Sequence, residues 1–310
     1  MTRHFVVAGE SLVDVVVTRR GRTTREPGGS PLNVAVGLAR LDAPTLLVTR
    51  VGDDPDGRLV VDHARASGVQ LAEGSVQPGL ATSTATAQLD DDHAADYTFD
   101  LTLDLPAQQL PEEPTGLHVG SLGASLPPGS RAVADLVAQA QAAGAFVSYD
   151  PNVRPAFVED AERCWQEVHG LAGRARLVKV SEDDLRLLRP DDDIDELART
   201  LLAGEDTELV VVTHGGQGAT AYSDGSRVDA LAGQVEVVDT VGAGDSFMAA
   251  LIAVLLEWGL TGEGSGRLRA IDEDRLRALL TAASRAAAVT CSRRGANPPT
   301  RAELPLTWPA

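Results

Sequence analysis

Lysine is almost missing from this chain. Among 310 residues there is one, Lys179, so positive charge rests on arginine, and 27 Lys and Arg face 45 Asp and Glu for a net charge of -18. Such an acidic balance argues against an electrostatic grip on nucleic acid or on an anionic membrane surface, and neither is expected as a partner. Small molecules fit better. Cysteine is nearly as scarce: Cys164 and Cys291 are too few for a secreted disulfide framework and too far apart for a metal knuckle. No run approaches the ~20 apolar residues that span a bilayer. The opening segment Phe5-Val6-Val7-Ala8-Gly9 has the length of a buried strand rather than of a signal-peptide core. A cytoplasmic location is expected.

A hydrophobic content of 43% is ample for a core. Apolar runs of strand length at Phe5–Ala8, Thr45–Val51, Leu117–Gly120, Ala145–Tyr149, Leu177–Val180 and Leu209–Thr213 alternate with helical patterns. Those helices are predicted at Pro31–Leu41, Gly57–Ser67, Ser130–Ala142, Ala161–Leu171 and Asp193–Leu202. The alternation predicts an α/β fold, a mostly parallel sheet with helices on both faces, whose ligands gather at the carboxyl ends of the strands. Two segments break the pattern. Leu12–Thr18, closed by the turn Arg19-Arg20-Gly21-Arg22, and Ala81–Leu89 with Asp96–Leu103 have the alternation of short strands joined by polar turns. They predict a small β-sheet lid, residues 11–27 and 81–105, inserted in one domain spanning 1–310. Between Ala81 and Leu105 there is no Lys or Arg, whereas Asp90, Asp91, Asp92, Asp96, Asp100 and Asp104 are acidic.

The chemistry concentrates in Val235-Glu236-Val237-Val238-Asp239-Thr240-Val241-Gly242-Ala243-Gly244-Asp245 and the apolar stretch Met248–Leu256 behind it. This predicts a strand, a glycine turn and a buried helix. Glycines allow close backbone approach, and unpaired N–H groups at the helix start suit a phosphate. Asp245, placed beside that anion site, suits the removal of a proton from an attacking hydroxyl, although a simple helix cap uses the same residue type. The Walker and dinucleotide patterns are both excluded, since no Lys-Ser/Thr pair follows Gly244 and Phe247 stands where a third small residue is needed. Upstream, Gly28-Gly29-Ser30-Pro31-Leu32-Asn33 places two glycines before a helix, with Ser30 expected as its cap. Asp14 and Asn33 supply groups suited to a polyol.

Together, in this order and about two hundred residues apart, these two segments make the chain resemble the ribokinase-like, or PfkB, family of sugar kinases over its whole length. The resemblance implies a Rossmann-like ribokinase fold with a lid, ATP and Mg²⁺ as cofactors, and phosphorylation of a primary hydroxyl. It implies Asp245 as catalytic base and the N–H groups of Gly242, Ala243, Gly244 and Asp245 as the anion hole. Asp14, Gly28, Gly29 and Asn33 would contact the sugar, and Arg154, in Asp150-Pro151-Asn152-Val153-Arg154, would steady phosphate or substrate. Lys179, Ser181, Thr213, Gly215, Gly218 and Ser284 fall on the nucleotide side, with Ser284 standing where the family often has Asn. Asp184 would meet magnesium through water, the alternative being the acidic first turn of a helix capped at Ser181. Asp239, with nearby carbonyls, would hold a monovalent cation such as K⁺. The fructokinase-like features and the absence of basic residues in the lid favour a neutral ketohexose. A 2-keto-3-deoxygluconate or nucleoside kinase, and a non-catalytic sugar-binding regulator, stay open. Lids of the family often pair between subunits, so the resemblance favours a homodimer through the lid, but the alternating residues of Thr82–Leu89 are mostly small and offer little apolar area, and a monomer stays open.

Overall fold

The computed structural model describes residues 3–18, 23–89, 95–261, 266 and 268–304. Its main sheet has nine strands, in the spatial order Ser226–Ala230, Ala219–Ser223, Leu209–Thr213, Leu177–Ser181, Val147–Asp150, Gly116–Gly120, Phe5–Ala8, Thr45–Val48 and Gln70–Leu71. All neighbours from Leu209–Thr213 to Gln70–Leu71 pair in parallel, and the two strands at the opposite edge return antiparallel.

Both faces are covered, as the unbroken apolar strands require. Side chains alternate across the sheet, so Phe5 and Val7 join one core with Leu32, Met248 and Leu279, while Val6 and Ala8 join a second with Leu136, Trp165 and Leu197. Aspartates fix where helices begin: Asp54, Asp160, Asp193 and Asp272 each accept a main-chain N–H in the first turn of Pro55–Ala66, Ala161–Ala172, Ile194–Leu202 and Glu273–Cys291. The helix Ala243–Glu257 is apolar almost all round and lies between Ser30–Arg40 and Glu273–Cys291. Across the second contact the Ser246 and Thr290 hydroxyls meet at 2.6 Å.

A separate four-stranded sheet follows the order Thr23–Gly28, Leu12–Val17, Thr84–Leu89, Ala95–Asp100. Both predicted insertions therefore contribute to one small sheet. Its junction with the body is tightly bonded: Asp54 accepts the N–H and hydroxyl of Thr82 at 2.8 and 2.7 Å, and Ser83 Oγ accepts the Thr102 N–H at 2.9 Å. The turn Arg19-Arg20-Gly21-Arg22 and the acids Asp90, Asp91 and Asp92 lie outside the described residues.

Four details differ from the sequence expectation. The strand Thr23–Gly28 carries Arg25, Glu26 and Pro27, which disguise it, but it is an edge strand where exposed charges and a missing N–H are tolerated. The run Thr45–Val51 is not one strand. It stops at Val48, the Arg50 side chain turns inward to the Ala81 carbonyl, and Val51–Gly52 pairs instead with Val76–Gln77. Ser226–Ala230 completes the antiparallel edge without a strong apolar pattern, since its burial alternates. Finally, Val235–Val238 forms no strand: the N–H groups of Val238 and Asp239 both go to the Cys291 carbonyl, and Val237 and Val238 are each 60% exposed.

The glycine turn depends on the burial of the helix that follows it. Leu251, fully buried in that helix, should therefore cost about 2–5 kcal/mol of stability when replaced by Ala. A shift in urea midpoint worth less than about 1 kcal/mol would show that this helix is not the packed support described.

Candidate active site

The site lies along the carboxyl ends of the parallel strands, where the α/β topology places it. Gly242 has φ 75°, and a Cβ there would sit 2.6 Å from the Ala296 Cβ, so only glycine makes this turn. The helix then starts at Ala243. Among the described residues, the N–H groups of Gly242, Gly244 and Asp245 have no acceptor in the protein and form one small donor cluster. Ala243 is the correction to the expected set of four: its N–H points back to the Thr240 carbonyl at 3.2 Å.

Asp245 is 8% exposed and both its oxygens are engaged. Oδ1 accepts the Ser30 hydroxyl at 2.6 Å and Oδ2 accepts the Asn33 side-chain amide at 2.8 Å. Ser30 is thus not the cap expected of it. Gly29, at φ 104°, occupies the cap position without a side-chain bond, Ser30 is the first helical residue, and its hydroxyl reaches across to the carboxylate. Asn33 keeps a buried Oδ1 with no partner among the described residues, an acceptor facing no protein donor.

Asp14 comes from the small sheet, opposite Glu26. A Cβ on Gly28 would lie 2.1 Å from Asp14 Oδ2, so the glycine admits the carboxylate beside the main chain. Burial raises the Asp14 pKa to about 6; Glu26 and Asp245 add to the rise and Arg154 opposes it. Sequence reasoning missed Glu10. It follows the first strand directly, is 3% exposed, and its Oε2 accepts the Gly123 N–H at 2.7 Å. Burial pushes its pKa up to about 7, against that hydrogen bond and Arg154. An acid immediately after a buried strand, Ala8-Gly9-Glu10, is the signal that could have found it. Arg154 itself is exposed and acts electrostatically on Glu10, Asp14 and Asp150.

Lys179 lies beneath the glycine turn, its Nζ 3.3 Å from where a Gly244 Cβ would be. It donates to Asp150 Oδ2 at 2.7 Å, while Asp150 Oδ1 is buried with no partner among the described residues. Burial works against the lysine charge, but Asp150, Asp184 and Asp245 outweigh it and hold the ammonium pKa above the ordinary value. Ser181 and Asp184 form a reciprocal capping box at the start of Glu182–Leu188, and Asp184 Oδ1 also accepts the Val153 N–H at 2.9 Å. The capping alternative for Asp184 is therefore what the geometry displays, and it ties two strand ends together.

Thr213 ends its strand, and Gly215 and Gly218 shape the hairpin that leads into Ala219–Ser223. A chain of side chains absent from the sequence expectation braces this loop. His214 bridges Glu182 at 2.7 Å and Thr220 at 3.0 Å, and Thr220 donates to Asp229 at 2.7 Å. Asp239 Oδ1 and Oδ2 accept the N–H groups of Val241 and Gly295 at 3.1 and 2.9 Å, fastening the approach to the turn against the 293–298 loop. Ser284 is 6% exposed, its hydroxyl has no partner among the described residues, and its carbonyl lies 3.7 Å from the Cβ position of Gly233.

The family model for pfkB family carbohydrate kinases matches residues 2–303. The chain belongs to that family. It is 32% identical to the fructokinase of Escherichia coli, over 96% of this chain and 95% of that protein. Among solved structures it resembles a putative ribokinase II from E. coli in complex with ATP and Mg²⁺, with a TM-score of 0.78 and 26% identity over 95% of this chain and 94% of that one. A double mutant of Vibrio cholerae O395 fructokinase, in a form with fructose, ADP and potassium bound, gives a TM-score of 0.76 and 27% identity over the same shares of the two chains. The PfkB resemblance and the α/β architecture with a small separate sheet are thus established, and the chain is a carbohydrate kinase.

The buried acids carry a pH signature. The folded protein holds the Glu10 proton up to about pH 7, whereas the ordinary value is 4.5, so folding takes up a proton in between and stability falls as pH rises through that window. Asp14 adds to the descent between its ordinary 3.8 and about 6. Glu10→Gln mimics the neutral acid and should gain on the order of 2–4 kcal/mol over wild type at pH 8 while gaining little at pH 4.5. Urea unfolding at both values checks this, and equal pH dependence in the two proteins would remove Glu10 as its source.

Proposed function

We propose that this kinase transfers the terminal phosphoryl group of ATP to a primary hydroxyl of a neutral ketohexose, fructose ahead of other sugars. The observation that carries the reading is Asp245, a buried carboxylate one residue from unpaired amides at the start of a buried helix. In the proposed mechanism the sugar lies against Asp14, Gly28, Gly29 and Asn33. Its primary hydroxyl gives its proton to Asp245, and the oxygen attacks the γ-phosphorus in line as the bond to ADP breaks. Main-chain N–H groups of Gly242, Gly244 and Asp245 stabilise charge on the transferred group, with the Lys179 ammonium below them. Arg154 steadies the substrate from the strand-end side, and Ser181, Thr213, Gly215, Gly218 and Ser284 belong to the walls of the nucleotide side.

The relatives' names supply fructose, ATP, Mg²⁺ and potassium as ligands of those proteins, and we extend them to this chain on its own residues. Magnesium that keeps several waters and is held mainly by phosphate oxygens fits the hard oxygens of Asp184, whose two hydrogen bonds leave lone pairs for water. When bound, it neutralises charge on the nucleotide phosphates. A monovalent cation would take carbonyls of the loops beside Asp239, whose own oxygens already accept two N–H groups. A neutral sugar is favoured because Arg154 is matched by Glu10, Asp14 and Asp150, which leaves no surplus positive charge for an anionic substrate. In this proposal residues 1–310 act as one domain with the small sheet as its lid, copies pair through that lid, and the enzyme works in the cytoplasm. Among the described residues no helix is long and apolar enough to cross a membrane.

ADP release measured with fructose, other ketohexoses, aldoses, nucleosides and 2-keto-3-deoxygluconate tests the assignment. Fructose should give the highest kcat/KM, and Asp245→Asn should bind fructose yet lose about 10²–10⁴ in kcat. Preference for the acid sugar would transfer Arg154 to carboxylate recognition, and turnover on no sugar would leave a binding protein.

A further inference from the structure

We propose that Ser30 is a positioning residue for phosphoryl transfer, holding Asp245 with its carboxylate plane fixed. This rests on the reading of Asp245 as the base. Ser30 is 5% exposed, and its hydroxyl lies 2.6 Å from Asp245 Oδ1 across 215 residues of chain. An ionised carboxylate has no hydrogen to give, so the hydroxyl must donate. Asn33 donates to the other oxygen at 2.8 Å from one turn further along the same helix. Two donors three residues apart on one rigid helix thus grip the two oxygens of one carboxylate, which fixes its rotation about the terminal torsion. Each oxygen keeps a lone pair for the incoming sugar hydroxyl.

Local backbone geometry explains why Ser30 is available. Gly29, at φ 104°, takes the cap position, so the first helical residue is released from capping and directed at the neighbouring helix start. Loss of the hydroxyl leaves Asp245 gripped by Asn33 alone and should therefore loosen the base.

The experiment is steady-state kinetics with ATP, Mg²⁺ and fructose, or whichever sugar of the panel turns over best. Ser30→Ala should lower kcat about tenfold, the equivalent of one hydrogen bond to a charged group. KM for sugar and ATP should stay within about twofold, and Ser30→Thr, which keeps a hydroxyl, should restore kcat. Thermal melting run alongside separates misfolding from a kinetic effect. A Ser30→Ala protein with lowered melting temperature but wild-type kcat would reduce the contact to a cross-link between helices and overturn the proposal. Normal turnover by Asp245→Asn would instead overturn the reading beneath it, whereas an inactive Asp245→Asn beside an unaffected Ser30→Ala would sink the Ser30 proposal alone.

Discussion

One contact organises the catalytic end of this molecule: the start of the helix Ser30–Arg40 against the start of Ala243–Glu257. Two structural demands meet there. The second helix is apolar almost all round and must be buried, yet its first turn presents unpaired N–H groups and a carboxylate, which burial would penalise without partners. The first helix resolves the conflict by giving Asp245 two side-chain donors, while the amides are left to a ligand. A site for an anion is thus a consequence of placing a polar helix start on an apolar helix and satisfying only half of it from within the protein.

The charges around that contact follow one plan. Glu10, Asp14, Asp150, Asp184 and Asp245 act on one another or on shared neighbours around the site, and the cations acting among them are Lys179 and Arg154. Burying this many acids near each other drives proton affinities up, as at Glu10 and Asp14. Lys179 is the buried exception that keeps its charge, with Asp150 as direct partner and the glycine turn immediately above it. A lysine suits that place because its compact ammonium sits under a main-chain turn and meets Asp150 as a point charge. In a chain that otherwise uses arginine, this gives its one lysine a physical reason.

The parts legible in the sequence were those governed by local, periodic signals. The strand Phe5–Ala8 and the glycine turn could be read because buried parallel strands are short apolar runs and because glycine has few other reasons to appear twice before an apolar helix. The misreading of Val235–Val238 has the opposite cause. Four residues with strand composition meet no free sheet edge, and their main chain is captured by the end of the last helix at Cys291. Edge strands such as Thr23–Gly28 escape composition because one side needs no partner. Pairings across long sequence gaps were out of reach altogether: nothing near Ser30 says that its hydroxyl belongs to Asp245, and nothing near His214 names Glu182 and Thr220.

The small sheet shows how such long-range contacts serve the chemistry. Water competes with the sugar hydroxyl for a phosphoryl group, so a kinase must cover its site. Here the strand that could do so lies close against the body: Glu26 Oε2 is 2.7 Å from the Cβ position of Gly295, whose N–H is held by Asp239 ahead of the glycine turn. On its other side the same strand pairs Glu26 with Asp14. Thr23–Gly28 therefore touches both the 293–298 loop and the strand that carries Asp14, and it runs directly into Gly29 and Ser30. The edge of the small sheet and the residue that grips Asp245 are thus two ends of one stretch of backbone.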